Sequence, residues 1–148
     1  MTTPYVTDEE AQDYFDGRMD TESWDSADTS ARLKARTSAT RMINQLNFIG
    51  EKADADQENA FPRDDDITVP TDIQYACCEL TLSLLDGIRP EKEIEALLVN
   101  RTSIGNVSTS YERANTPIWI LAGIPNTTAW AYLKPYLRDW TSLELQRG

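Results

Sequence analysis

Apolar residues recur at helical spacing in several separate stretches of this chain, and the polar residues between them mark where each stretch starts and stops. Thr7-Asp8-Glu9-Glu10 has capping-box spacing, a hydroxyl with a carboxylate three residues on. It predicts a short helix to about Asp16, with Ala11, Tyr14 and Phe15 inward and Gly17 ending it. Trp24 is expected to anchor the connection that follows. From about Ser26 to Leu46 the residues Ala31, Ala35, Ala39, Met42 and Leu46 return every three or four positions, while most basic residues fall elsewhere. This is the longest predicted helix, and its alanines allow close approach of a neighbour. Asn47-Phe48-Ile49-Gly50 closes it, with Gly50 free to adopt a positive φ.

A third helix opens at Pro70 or Thr71, with Thr71 and Gln74 at a second capping-box spacing, and carries Ile73, Ala76, Cys77, Leu80 and Leu84 inward as far as Asp86-Gly87. Periodicity leaves residues 91–98 open between helix and loop. Past Val99 the pattern alternates: Val107, Thr109 and Tyr111 share a face and Gly105-Asn106 suits a two-residue turn, so a small β element is predicted over about 99–112. A loop with Pro117 and Gly123 leads to a last short helix from about Pro125, with Ala129, Trp130 and Leu133 inward and Pro135 stopping it. The tail has no helical period yet keeps Trp140, Leu143 and Leu145, as a segment that leans on another surface would. The fold class is therefore mainly α: a small bundle of about four helices with a short β hairpin or segment and an extended C-terminal tail. Residues 1–137 form one helical domain and 138–148 the tail.

Between the second and third helices, a bundle ordinarily uses a short polar turn. Here the connector holds Gly50-Glu51-Lys52, Gln57, Phe61-Pro62-Arg63 and Val69-Pro70. Phe61 could plug the end of the helix pair, Pro62 stiffen the loop and Arg63 pair with an acid such as Asp72. The same residues could instead fix a surface that must fit its neighbours repeatedly.

The chain has 148 residues, enough for one domain with a core that needs no metal or disulfide. Its 25 acids outnumber 14 bases, for a net charge of -11, and 16 of the acids fall in residues 1–66. That balance opposes tight binding of a phosphate backbone but suits a wall past which DNA slides. With no leader and no run of about 18 apolar residues, the expectation is a soluble chain in the cytoplasm where it is made, with no membrane partner. Adjacent Cys77 and Cys78 read as buried free thiols, since neighbouring cysteines bridge only with strain. The three Asn-x-Ser/Thr triplets, from Asn100, Asn106 and Asn126, matter only in a secreted protein.

Candidate chemistry is sparse. There is no histidine, which removes the usual general base and every Ser-His or Cys-His pair. Glycine-loop and C-x-x-C motifs are also missing. Asp54, Asp56 and Asp64-Asp65-Asp66 could surround a divalent cation, but the run lacks the glycine and closing glutamate of a calcium loop, and a solvated loop is the preferred reading. The expectation is no enzyme activity, no cofactor and no metal. For nucleic acid the candidates are Arg32, Lys34, Arg36 and Arg41, with Trp24 and Tyr111 for stacking; the preferred reading makes them the solvent side of a helix and two core aromatics.

Taken in order, Trp24, Ala39-Thr40-Arg41-Met42-Ile43, Phe48-Ile49-Gly50-Glu51-Lys52, Gln57, Phe61-Pro62-Arg63, Val69-Pro70 with Ala76, Gly105 with Ser110-Tyr111, and Leu133-Lys134-Pro135-Tyr136-Leu137 resemble the small adaptor, head-completion or head-tail connector proteins of tailed bacteriophages. Some relatives in that group carry the description of DnaT-like single-stranded-DNA-binding proteins. The resemblance covers roughly residues 5–137 and rests on the order of several weak motifs. It implies a structural virion protein in the neck between head and tail, a ring commonly of twelve copies beneath the portal that extends the DNA channel. Expected partners are other copies of the chain, the portal protein, a downstream neck or tail protein, and DNA passing without sequence-specific binding. A ring grows when one face of a subunit meets a different face of the next. Candidate interface residues are Ile104, Val107 and Tyr111 in the β element and Trp140, Leu143 and Leu145 in the tail, with the tail expected on the portal. The alternative from another class is a single-stranded-DNA-binding module.

Overall fold

The computed structural model describes residues 2–89 and 122–138. Among these the helices are α1 (Asp8–Asp16), α2 (Glu22–Ser26), α3 (Thr29–Asn44), α4 (Thr71–Leu85) and α5 (Thr127–Leu133), the last running into a 3-10 turn, Lys134–Tyr136. The protein is mainly helical, as its periodicity predicts. The predicted β element, the open stretch 91–98 and the tail, with Ile104, Val107, Tyr111, Trp140, Leu143 and Leu145, lie outside the described residues. Strand pairing among the described residues consists of two isolated antiparallel bridges, Phe48 with Leu137 and Lys52 with Arg63.

The α4 helix occupies the centre because it is apolar nearly all round, and a helix of that kind must be covered on every side. Ile73 and every residue from Ala76 to Ser83 are buried. Helices α3 and α5 cover most of it, and α1 and α2 touch its remaining flank. Its predicted capping box does not form: Pro70 stands at the N-cap without a side-chain bond, and Thr71 is already helical. The box of α1 does form, with Glu10 N–H on Thr7 Oγ1 at 3.1 Å and Thr7 N–H on Glu10 Oε1 at 2.9 Å. Ala11 and Phe15 are buried as expected, and Tyr14 is half-buried. In α5, Ala129, Trp130 and Leu133 are buried as predicted, and Asn126 caps the first turn.

Three expectations for the longest helix need correction: its start, its inward face and its end. It begins at Thr29, capped by the Asp28 carboxylate, which accepts the Ala31 N–H at 2.8 Å; extended Ala27 separates it from α2. Its buried face holds Arg36, Ala39, Thr40 and Ile43, with Ala35 beside them. Of the residues predicted inward, Ala35 and Ala39 are buried, Met42 and Leu46 are half-buried and pack against the core, and Ala31 is half-buried outside it, while Arg36 and Thr40, not predicted, go inside. Arg36 and Thr40 are inside because the N-terminal segment lies across α3 and its backbone needs polar partners. Thr40 Oγ1 accepts the Tyr5 N–H at 3.0 Å and donates to Arg36 O at 2.9 Å, and Arg36 Nη1 donates to Val6 O at 2.9 Å. An apolar count alone misses a face built this way. The helix also ends at Asn44, earlier than predicted, while Gly50 does take φ +81°.

Trp24 is fully buried, its indole N–H on Gln12 Oε1 at 2.9 Å and its ring 4.9 Å from Phe15. Cys77 and Cys78 are buried free thiols. Burial pushes the Cys77 thiol up to about 11 and raises Cys78 as well.

Candidate functional site

The long connector closes into a compact unit at the end of the α3/α4 pair. At Gly50 the chain turns with positive φ, and a Cβ there would run into the Asp64 carboxylate, so only glycine fits. The two arms then pair: Asp64 N–H bonds Glu51 O at 2.8 Å, Ala53 N–H bonds Pro62 O at 3.0 Å, and Glu51 N–H reaches Asp64 Oδ1 at 3.1 Å. Gln57 ties the tip, its amide donating to the carbonyls of Asn59 and Pro62, both at 2.8 Å. On the other side, Ile49 N–H bonds Tyr136 O and Arg138 N–H bonds Asn47 O, both at 2.9 Å, which fastens the connector to the end of α5.

Phe61 is the plug the sequence suggests. It is buried, edge-on to Phe48 at 4.6 Å and to Tyr136 at 5.9 Å between ring centroids, and the Phe61-Pro62 bond is cis. Its N–H bonds the Tyr5 hydroxyl at 3.2 Å, and that hydroxyl donates to Asn44 Oδ1. Burial raises the Tyr5 hydroxyl above its ordinary range. Asn44 Oδ1 also takes the Ala60 N–H at 3.0 Å, so the last residue of α3 fixes the loop.

Among the described residues Arg63 pairs with no acid. Its guanidinium donates to the carbonyls of Ile49 at 2.9 Å, Ala60 at 3.0 Å and Gly50, and lies about 6 Å from the Phe48 and Phe61 rings (6.0 and 5.9 Å). The turn leaves several carbonyls pointing at one spot, and a fork of fixed N–H groups satisfies them together. Asp72, in the first turn of α4, instead accepts the Tyr136 hydroxyl at 3.2 Å; burial and then Asp72 raise that hydroxyl.

A second polar centre has no counterpart among the sequence expectations. Glu79, alone among apolar neighbours on α4, is buried and receives Arg18 Nε at 2.7 Å, Arg18 Nη2 at 3.0 Å and the Tyr14 hydroxyl at 2.5 Å. Asn126 Nδ2 lies 3.5 Å from the carboxylate and bonds Ser83 Oγ at 2.9 Å. The bond to Glu79 raises Arg18, whereas burial first and Glu79 second raise Tyr14. The signal that could have found this centre is one carboxylate inside the run Ala76–Leu85.

The nucleic-acid candidates are largely spent on internal contacts. Arg32 lies 4.3 Å over the Trp24 ring and donates to Trp24 O at 3.0 and 3.1 Å. Arg36 is buried, and Trp24 offers no face to a base. Lys34 and Arg41 are exposed. Tyr111 lies outside the described residues. A different aromatic row reaches the surface: Tyr75, 38 % exposed, stands 4.9 Å from Tyr14 and 5.7 Å from Tyr132.

In the acidic loop, Asp54 and Asp64 accept backbone N–H groups of Asp56 and Glu51. Among the described residues no group of three or more metal-ligating side chains comes together. Nor is any described helix long and apolar enough to cross a membrane. An open groove of about 530 Å³ runs between α3 and the end of α4; Ala35, Met42, Leu84 and Leu85 line it, with Lys34 and Arg89 among its lining residues.

Fold and centres together define a small helical module braced by a buried carboxylate and a carbonyl-bound arginine. The chain belongs to the family described as putative DnaT-like ssDNA binding protein, whose model matches residues 3–148. Searches among curated proteins and among solved structures returned no match.

Proposed function

We propose that the protein is a structural component of a tailed-phage virion, a ring-forming connector in the neck between head and tail, with no catalytic step. The observation that carries this reading is spatial. Motifs that bear the resemblance to phage connectors, Phe48-Ile49-Gly50, Phe61-Pro62-Arg63 and Tyr136-Leu137, are far apart in sequence yet meet in one hydrogen-bonded unit. A rigid end of that kind suits a subunit that must present one shape to many neighbours. The acidic charge suits a channel wall that DNA crosses without sticking. The test is to mix the purified chain with the portal of the same virus and image the product. A ring of copies beneath the portal, commonly twelve, is expected; a portal left bare at excess chain would sink the reading.

A second reading follows the family description. Tyr75, exposed beside the half-buried Tyr14 and Tyr132, offers a ring of the sort on which unpaired bases stack. It predicts oligonucleotide binding that falls as salt rises and is lost in Tyr75→Ala, measured by fluorescence anisotropy. The connector reading predicts no retention at physiological salt.

A further inference from the structure

The exposed charges of two helices are segregated by sign. On α1, Glu9, Asp13 and Asp16 stand at i, i+4 and i+7, one exposed ridge opposite buried Ala11 and Phe15. Just past its end, Met19 is 81 % exposed, its carbonyl held by Arg18 Nη1 at 2.6 Å. On α3 there are no acids at all, and Lys34 and Arg41 project from its outer side. Beside Lys34 opens the groove of about 530 Å³, apolar at Ala35, Met42, Leu84 and Leu85, with Arg89 as its second cation. In a chain of net charge -11, a groove whose charged lining residues, among the described residues, are both cations is a local exception.

We propose that this groove receives the acidic ridge of α1 and the Met19 side chain of a second copy of the chain. The match is of charge and of shape: carboxylates meet Lys34 and Arg89, and an exposed methionine meets an apolar slot, since thioether chains fill irregular gaps well. A contact within one copy is disfavoured by geometry. Arg32 approaches Asp8 of its own α1 at 3.8 Å, and Lys34, two residues on, points about 200° away around the helix axis. The α1 face of one copy and the groove of the next are different surfaces, so the contact is head-to-tail and propagates into a ring when its rotation closes. This inference rests on the ring reading above and names the surfaces that would build it.

Carbodiimide cross-linking of an equimolar mixture of ordinary and nitrogen-15-labelled full-length chain tests it, because links between unlike copies are separable by mass. The expected product joins Lys34 of one copy to Glu9, Asp13 or Asp16 of the other, and it disappears in high salt. Lys34→Glu alone and Glu9→Lys/Asp13→Lys alone should each lose the inter-copy link, and mixing the two variants should restore it through the reversed charges. Circular dichroism confirms that both variants fold, which surface substitutions permit. Links from Lys34 to Glu91, Glu93 or Glu95 of the same copy would overturn the proposal by showing that the chain's own connection fills the groove. Inter-copy links that map elsewhere and survive both variants would overturn it while leaving the ring intact. A wild-type chain that neither cross-links between copies nor assembles on its portal would remove the ring reading as well.

Discussion

The two polar centres hold comparable lengths of chain together by opposite means. At Glu79 a buried charge meets its countercharge: the carboxylate is 2 % exposed, and Arg18, 31 % exposed, reaches it from the α1–α2 turn. At Arg63 the charge meets, among the described residues, only neutral carbonyls, those of Ile49, Ala60 and Gly50 and, at 3.5 Å, Phe48, backed by aromatic rings. An ion pair in the interior stabilises only against the cost of drying both charges, and losing one partner strands the other. A half-exposed guanidinium on carbonyls keeps part of its hydration, and each bond adds a modest amount. The Glu79 centre therefore locks α1 onto α4 in an all-or-none manner. The Arg63 centre shapes a surface, and its strength comes from the apolar plug beneath it.

That contrast fails or holds first at Phe61. Phe61→Ala removes a ring that Phe48, Tyr136 and Tyr5 all touch, and should cost about 4 kcal/mol, read as a lowered urea midpoint. Next comes Arg18→Met, which leaves Glu79 buried without its cation. About 3 kcal/mol is expected, at the low end for a broken buried pair because Arg18 keeps some water. Replacing Glu79 by Leu as well should recover most of that loss; a double variant no better than the single one would mean the centre does not act as a coupled pair.

Alkaline titration sharpens the comparison further. Tyr5 beside Phe61 and Tyr14 on Glu79 are both raised by burial, as are the two thiols beneath them, with Cys77 at about 11 against an ordinary 9.0. Each group stays protonated in the folded state after the unfolded chain has begun to release its proton. The Cys77 contribution is thus full below pH 9 and is lost as pH rises from 9 through 11, that of Cys78 begins to fall at the same point, and those of the two tyrosines begin to fall only above pH 10, all three continuing past 11. Cys77 alone accounts for about 2 kcal/mol by pH 11, because holding one proton that the unfolded chain has released costs about 1.4 kcal/mol for each pH step. The urea midpoint measured from pH 8 to 11 checks this, and Cys77→Ala should flatten the decline.

Much of the scaffold is legible in the sequence because it obeys local rules. The Thr7 capping box, the glycine turn at 50 and the α5 stripe follow from spacing and backbone freedom. The α3 face is not legible, since Arg36 and Thr40 go inside to satisfy the backbone of Tyr5 and Val6, some thirty residues upstream. No window over α3 contains that partner. The same holds for both centres: Arg63 reads as a cation seeking an acid until the fold brings several carbonyls to it, and Glu79 reads as an oddity until Arg18 and Asn126 arrive from opposite ends of the chain. Of the candidate site, Phe61 as a plug is visible in the sequence and the hydrogen-bond hub around it is not.

The smallest expected effect is also the most discriminating. Arg63→Lys keeps the charge but replaces a planar fork by a single ammonium, which cannot reach the carbonyls of Ile49, Ala60 and Gly50 at once. One or two hydrogen bonds are lost at a half-exposed site where water can substitute, so about 1.5 kcal/mol is expected in the urea midpoint. If Arg63 mattered as a charge, lysine would be nearly neutral and Arg63→Gln severe. Because its partners are uncharged, the two substitutions should cost about the same. Amide hydrogen exchange should then place the extra opening at Ile49, Ala53 and Asp64, whose N–H groups seal the connector, while the amides of α4 remain as protected as before.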